Sequence, residues 1–312
     1  MSRVSIITAL HNKGPYVAET IRSVLAQTVP DWEMIVVENG SADNGPDVVR
    51  QFSDARIRLA VSPKCGPGAA RNFGLGRAIG EWVLFLDADD LIQPDYLDER
   101  LRLLQNHSKA NLLAGWWEEF KDGSPEDKAI RKPAAYGGTT QDIANAAIAY
   151  APWALHAALV RKKLLRPCAP WAEYLDAQPY EDAAFWFPIV CNSSPVWSDK
   201  AGALYRIQTT ASRNEIVSSE RAIRGIVGAV SANTKYLKSI GRKPNSVQTG
   251  NLVRTFEAAY RMALRMHNRD AARVAFQHAQ RWLQQTHSAG ASIKLRRWLG
   301  LRLFNLLRFG AI

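Results

Sequence analysis

The sequence predicts an α/β fold: a doubly wound, mainly parallel sheet followed by a C-terminal helical region. Three observations predict it. Over the first 120 residues, short apolar runs alternate with stretches whose apolar residues recur at helical spacing. The apolar runs are continuous, as expected of strands covered on both faces. From residue 216 onward only helical periodicity remains.

The elements follow in order. VSIITAL is a short buried strand, and YVAETIRSVLAQT carries Val17, Ile21, Val24 and Leu25 on one helical face. WEMIVVEN and PDVVRQFSD repeat the strand–helix pair, as do IRLAVS and AARNFGLGRAIG. WVLFLD is a fourth strand, PDYLDERLRLLQNH a helix with Pro94 in its first turn, and ANLLAGWW a fifth strand. Strands joined by helices of this length imply parallel crossovers. Residues 121–138, polar and rich in Gly and Pro, read as an exposed loop or lid. Residues 139–212 mix helix and strand, and three helical stretches follow, the first capped by Ser218 or Ser219 ahead of Glu220. The division expected is 1–212 for the α/β domain and 213–312 for a basic helical region.

A chain of 312 residues with 47% apolar and 22% charged residues buries a sizeable core in one large or two moderate domains. Its three cysteines are far apart and show no metal spacing, which fits a reduced, cytoplasmic compartment. The run Val4 to Leu10 is too short for a signal peptide, and no 18-residue apolar stretch occurs. The net charge of +11 is uneven. Residues 213–312 hold 18 Lys and Arg against 4 Asp and Glu, and the remainder holds 22 against 25. An acidic partner surface is expected for that last third.

The chemistry concentrates where apolar strands stop. WVLFL runs into Asp87, Asp89 and Asp90. In an open parallel sheet, ligands bind outside the carboxyl ends of strands. Two carboxylates one residue apart there suit a hard divalent cation, Mn²⁺ or Mg²⁺, which bridges protein oxygens to substrate phosphates. A solvated turn with Asp90 or Asp95 capping the next helix is the bland alternative. The neighbouring strand ends weigh against it. VVENGSADNG puts Glu38, Asn39 and Asp43 at the same edge, and ALHNKG ends the first strand. GPGAARN opens a helix whose N–H groups face an anion, with Arg71 to pair it.

These motifs together resemble glycosyltransferase family 2, the inverting group with the GT-A fold. SVLAQT matches the family's SVLxQT, and VVENGSAD matches VVDDGSxD. Gly66 to Trp82 matches GxxxARNxGxxxAxGEW with one residue of slack, and the family's Asp-x-Asp falls on Asp87 and Asp89. The close match covers about a third of the chain. PYEDAAFWFPI looks like the family's acidic pair at a helix start, which makes Asp182 the base. ALYRIQTTAS looks like the segment that closes over the donor diphosphate, with Arg206 facing the phosphates and Gln208 in place of the family's His. Asn39 replaces an Asp that reads uracil, and Ala9, Leu10 and His11 replace Pro-Thr-Tyr; His11 then lies near the base or pyrophosphate, or serves as a structural contact.

The resemblance implies an inverting transfer from a nucleotide-diphosphate sugar, a UDP-sugar by the family pattern, to a hydroxyl of a saccharide or lipid-linked acceptor in cell-surface polysaccharide synthesis. Glu38, Asn39, Arg71, Asp87 and Arg206 would bind the donor, Asp87 and Asp89 the metal, and Asp182 would take the acceptor proton. Trp153 and His156 are the acceptor candidates; Trp171 is another aromatic of that stretch, and Trp186 reads as core. The rivals are a GT-A scaffold that has lost its chemistry, which would be expected to lack Asp89 or Asp182, and a sugar nucleotidyltransferase, which would carry a Gly-rich basic loop after the first strand. GPGAAR is not a dinucleotide fingerprint because Arg71 stands at the last Gly, and no phosphate-binding P-loop occurs. No nucleic-acid partner is expected, since the basic third carries no reader motif. Residues 293–309 form a basic, Leu-rich amphipathic pattern that either lies on the anionic inner face of the cytoplasmic membrane or packs on the preceding helices.

Overall fold

The computed structural model describes residues 4–168, 171–207, 218–286 and 291–309. Gln208 and the remainder of the diphosphate segment lie outside the described residues, as do the side chains of Trp298, Leu307 and Phe309.

Among the described residues nine strands form one sheet. The first strand, β1 (Val4–Leu10), lies between β2 (Trp32–Glu38) and β4 (Trp82–Phe85), parallel to both, and β3 (Ile57–Val61) extends the parallel array beyond β2. Strands β1, β2 and β4 are largely apolar runs because both faces are covered. Every residue of β2 is buried, whereas β3, at the edge, is half exposed. Three helices make the crossovers: α1 (Gly14–Leu25), α2 (Gly45–Arg50) and α3 (Pro67–Arg77). Each has Pro at its first or second position, where a missing N–H costs nothing. The α1 face made by Val17, Ile21 and Val24 is fully buried, as its spacing predicts.

Parallel order ends at β4. After β5 (Leu91–Ile92) and α4 (Tyr96–Arg102), the strand β6 (Leu112–Lys121) does not continue the array beside β4. Instead β8 (Ala158–Arg161) inserts between them, antiparallel to both. The strand β9 (Val196–Ile207) runs parallel to β6 on its other side and pairs with β5. Pro94 precedes α4 rather than entering it, and Asp95 stands at the N-cap. The expected loop at 121–138 is instead largely a β-hairpin: β7 (Ser124–Arg131) pairs antiparallel with β6 across a tight turn containing Gly123 at φ +75°. Its exposed polar residues hid the strand, because an edge ribbon buries no continuous apolar face.

Helices α5 (Thr140–Ala146), α6 (Lys162–Cys168) and α7 (Glu181–Asn192) cover the second half of the sheet. The C-terminal region is helical: α8 (Ser219–Ser239), α9 (Ser246–Arg265), α10 (Arg269–Gln285), α11 (Ala291–Leu299) and α12 (Leu301–Phe309). Ser218 caps α8 by accepting the Arg221 N–H. These helices dock on the α/β part through buried and partly buried polar bonds. Asn233 donates to the Ile148 carbonyl at 3.1 Å, and Asn245 to Asn145 Oδ1 at 2.8 Å. Gly300, at φ +73°, divides the tail pattern into two helices. Among the described residues no helix is long and apolar enough to cross a membrane.

Candidate active site

The strand order reverses at β1, whose neighbours β2 and β4 lie on opposite sides. The crevice outside the carboxyl ends of β1 and β4 is therefore the switch point where such sheets bind ligands. The end of β4 delivers Asp87, Asp89 and Asp90 there, each to a different environment. Asp87 Oδ1 accepts from Arg71 at 2.8 Å, and Asp89 Oδ2 pairs with Lys13 Nζ at 2.7 Å. Both carboxylates keep partly exposed side chains. Asp90 is buried, accepts the Arg206 backbone N–H at 2.8 Å, and faces His156. Burial, with Asp89 and Asp87 nearby, pushes the Asp90 carboxyl well above its usual range. Burial also pushes the His156 imidazole down to about 4, so the imidazole is neutral near pH 7.

Arg71 is the hub between the strand ends and α7. It is buried on α3, bonds Asp87, reaches Glu181 Oε1 at 3.3 Å, and lies 4.3 Å above the Trp171 ring. Beside it, burial and the neighbouring Glu181 charge push the Asp182 carboxyl up to about 7, against the opposing pull of Arg71. Glu181 is buried, whereas Asp182 is partly exposed. Asp182 lines a cavity of about 650 Å³ whose floor includes Asp87, Arg71 and Glu181. Aromatic walls come from Trp117 on β6, Tyr205 on β9, and Tyr150, Trp153 and Tyr180; Lys132 and Arg221 also line the cavity.

Several predicted residues meet here and others do not. Asp87, Arg71, Asp182 and Trp153 share the cavity, and Asp89 lies at the adjoining strand end. Trp153 is 3% exposed, and its buried indole N–H has no hydrogen-bond partner among the described residues. Trp186 is fully buried core, and so is Trp171, which stacks on Phe185 at 4.0 Å. His156 does not belong to the cavity wall: it is fully buried beneath it against Asp90, with Tyr96 donating to its carbonyl. Arg206 commits its guanidinium within the chain. It is 8% exposed and held by Glu19 at 2.6 Å, Asp122 at 2.9 Å and the Asp89 carbonyl at 2.8 Å.

Glu38 and Asn39 are also committed internally. Glu38 accepts from the Ser41 N–H and hydroxyl. The Asn39 amide donates to the Lys64 carbonyl at 2.8 Å and accepts the Gly66 N–H at 2.7 Å, tying β2 to the loop before α3. His11 Nδ1 lies 3.0 Å from the Asn39 carbonyl, a structural contact. The anion expected at the start of α3 comes from the chain itself: Asp176 accepts the Gly68 and Ala69 N–H groups at 2.8 and 3.0 Å. Sequence reasoning missed Lys13, Asp176 and the cavity residues Trp117, Tyr150, Tyr180 and Tyr205. Lys13 had one signal, a basic residue straight after a strand whose neighbour ends in carboxylates.

Asp87 and Asp89 supply hard oxygen donors at one strand end, which suits Mn²⁺ or Mg²⁺. Among the described residues no group of three His, Cys, Asp or Glu could hold a metal ion. The donor set therefore fits a cation completed by substrate phosphate and water, not a closed protein cage.

The comparisons agree with this geometry. The family model described as Glycosyl transferase family 2 matches residues 5–166. A Bacillus subtilis (strain 168) protein named for teichuronic acid biosynthesis is 38% identical over 133 residues, 42% of this chain and 53% of that one. The succinoglycan biosynthesis protein ExoO of Rhizobium meliloti (strain 1021) is 41% identical over 95 residues, 30% of this chain and 27% of that one. The chain thus spans about half or less of the length of these relatives. Among solved structures, S. aureus TarS 1–349 in complex with UDP-GlcNAc superposes with a TM-score of 0.60 at 17% identity, over 92% of this chain and 93% of that chain. The mannosyltransferase PcManGT from Pyrobaculum calidifontis, in complex with GDP-Man and Mn²⁺, gives 0.51 at 17% identity, over 99% and 83%. Those likenesses carry the GT-A fold, and the family model spans β1 to α6, where the strand-end carboxylates and Arg71 stand. By fold, motif order and sequence, the chain belongs to glycosyltransferase family 2.

Proposed function

We propose that the chain transfers a sugar from a nucleotide-diphosphate donor, a UDP-sugar, to a hydroxyl of a saccharide or lipid-linked acceptor, with inversion, in cell-surface polysaccharide synthesis. One observation carries the reading: a single cavity joins the strand-end carboxylate Asp87 to a partly exposed carboxyl, Asp182, whose proton affinity matches neutral pH. A general base works best when its pKa lies near the working pH.

In this reading the donor lies across the β1–β4 switch point, and the acceptor enters between Trp117, Tyr150 and Trp153. Asp182 removes the proton from the acceptor hydroxyl as its oxygen attacks the anomeric carbon. The new C–O bond forms on the face opposite the breaking one, and the electron pair leaves with the nucleoside diphosphate. A bound Mn²⁺ or Mg²⁺ would supply Lewis-acid stabilisation of that leaving group. Asp87 and Asp89 would hold the ion, and Arg71 keeps Asp87 oriented between the donor site and Glu181. The UDP-GlcNAc bound by TarS and the GDP-Man and Mn²⁺ bound by PcManGT support the choice of donor class and cofactor. Polysaccharide synthesis is supported by the names of the two relatives.

We also propose that residues 1–212 form the catalytic part and 213–312 the surface that holds the enzyme, from the cytoplasmic side, against an anionic membrane. A thermal-shift screen of UDP-, GDP- and dTDP-sugars with and without Mn²⁺ tests the function. A specific donor should raise Tm in the presence of Mn²⁺ by mass action. No shift with any donor would return the molecule to the scaffold reading.

A further inference from the structure

The donor reading leaves a question of charge. A nucleoside diphosphate at the switch point brings at least two negative charges toward Asp87 and Asp89. Arg206 is held by Glu19 and Asp122, and Arg71 is buried between Asp87 and Glu181. Lys13 stands elsewhere. It follows the end of β1, and its Nζ reaches across the switch point to Asp89 Oδ2 at 2.7 Å. Both side chains are largely shielded, at 15% and 17% exposure. The backbone on either side of Lys13 is pinned. Asn12 sits at φ +51° with its side-chain oxygen accepting the Ala42 N–H at 2.8 Å, and the Gly14 N–H donates to Asp43 at 2.7 Å. The four-carbon stem carries its ammonium, a compact charge with three rotatable donors, beyond that backbone. The Tyr16 ring, centred 5.5 Å from Nζ, flanks it.

Resting on the proposed donor site, we infer that Lys13 is a diphosphate-binding residue that holds Asp89 until the donor arrives. Its ammonium neutralises Asp89 in the donor-free protein. When a divalent cation and a diphosphate enter, Asp89 turns to the cation and Lys13 swings to the phosphate oxygens. Lys13 therefore competes with a divalent cation for Asp89 when no nucleotide is present, and assists binding once the diphosphate is there.

These two effects have opposite signs, which a merely structural lysine would not produce. Calorimetry on the full chain, wild type against Lys13→Met and Lys13→Arg, separates them with MnCl₂ alone, uridine, and UDP with Mn²⁺. Lys13→Met should bind Mn²⁺ alone more tightly, on the order of 5-fold, as one partly shielded ion-pair competitor is lost. The same variant should bind UDP with Mn²⁺ more weakly, on the order of 10- to 100-fold, the worth of a hydrogen bond to a charged group. Uridine affinity should not move, and Lys13→Arg should recover part of the UDP loss. Unchanged or weaker Mn²⁺ binding in Lys13→Met overturns the inference. So does unchanged UDP affinity, and so does an equal loss for uridine and UDP, which would mean the loop itself had shifted. If the wild type binds neither UDP nor GDP nor dTDP, the donor reading fails, and the Mn²⁺ titration still decides whether Lys13 competes for Asp89.

Discussion

Asp182 is the residue on which the proposed chemistry turns, and its environment fixes two measurable signs. Removing a general base costs about 10²–10⁴-fold in rate. Asp182→Asn should therefore lower turnover by that order at saturating donor and acceptor, with donor affinity unchanged. In the wild type, turnover should fall as pH drops below about 7, where the carboxyl takes up its proton. Full turnover by Asp182→Asn would place the base elsewhere. The stability sign is opposite to that of an ordinary paired aspartate. The carboxyl titrates near 3.8 when unfolded and about 7 when folded, so the folded state holds the proton more tightly. Ionising it costs stability as pH rises from about 4 to 7, and the whole cost is present above 7. Calorimetric Tm should accordingly be higher for Asp182→Asn than for wild type at pH 8, with the gap closing toward pH 4. Asp182 was named because PYEDAAFWFPI resembles the family's acidic pair at a helix start, since acidic residues in a first turn are by themselves ordinary. Asn39 and Arg206 were read as donor-binding residues and their structural ties were not legible, because sequence displays a polar group without its partners. Here those partners are backbone groups of the loop before α3 and carboxylates on α1 and the hairpin turn.

Elements show the same division between what pattern reveals and what contact decides. The parallel half was legible because two-sided burial writes continuous apolar runs into β1, β2 and β4. The β6–β7 hairpin and the antiparallel insertion of β8 were not, since strand direction follows from pairing and leaves no mark on a four-residue strand. In the tail, Arg296 falls on the side of the helix that carries the leucines. It is buried, and its guanidinium bonds both oxygens of buried Glu257 on α9 at 2.9 and 3.0 Å, with Asn305 donating to the same carboxylate at 3.2 Å. A charge on the apolar side of a helix was thus a packing signal. The start of α3 supports a sharper test. A Cβ added at Gly68 would lie 2.4 Å from Asp176 Oδ1, the oxygen that caps the helix. Gly68→Ala should cost about 1–3 kcal/mol in urea denaturation through that clash. Asp176→Ala alone loses the two N–H bonds and costs about 1 kcal/mol or more. Both substitutions act on one contact, so the double variant should lose clearly less than the sum of the singles. Simple additivity would show that the carboxylate and the glycine do not meet.

At the scale of the whole molecule, the uneven charge becomes a surface. Residues 213–312 carry 18 basic against 4 acidic residues, and α11 and α12 concentrate them beside exposed leucines. One face of this helix pair is spent on packing: Ile293, Arg296, Leu301, Phe304 and Asn305 are buried. The expectation that the tail packs on the preceding helices holds for that face. The opposite face is exposed and holds Leu295, Leu303 and Leu306 at 44%, 44% and 51% exposure, beside exposed Lys294, Arg297, Arg302 and Arg308. Leucines kept outside a well-packed bundle and ringed by cations match what an anionic bilayer surface takes up: apolar side chains in the headgroup region, basic groups at the phosphates. Each basic residue near such a surface contributes about 1 kcal/mol, so four give a salt-sensitive attraction that the leucines make specific to a bilayer. The full chain should float with vesicles containing anionic phospholipid and not with neutral vesicles, and 0.5 M salt should release most of it, since screening shortens the reach of the charges. Leu295→Ser/Leu303→Ser/Leu306→Ser should lose flotation while keeping its charge and, because the three side chains are exposed, its Tm. Flotation of that variant equal to wild type would reduce the tail to a cationic patch with no seat in the bilayer. Absence of wild-type flotation on anionic vesicles would remove the membrane from the proposal and leave the acceptor to be met in solution.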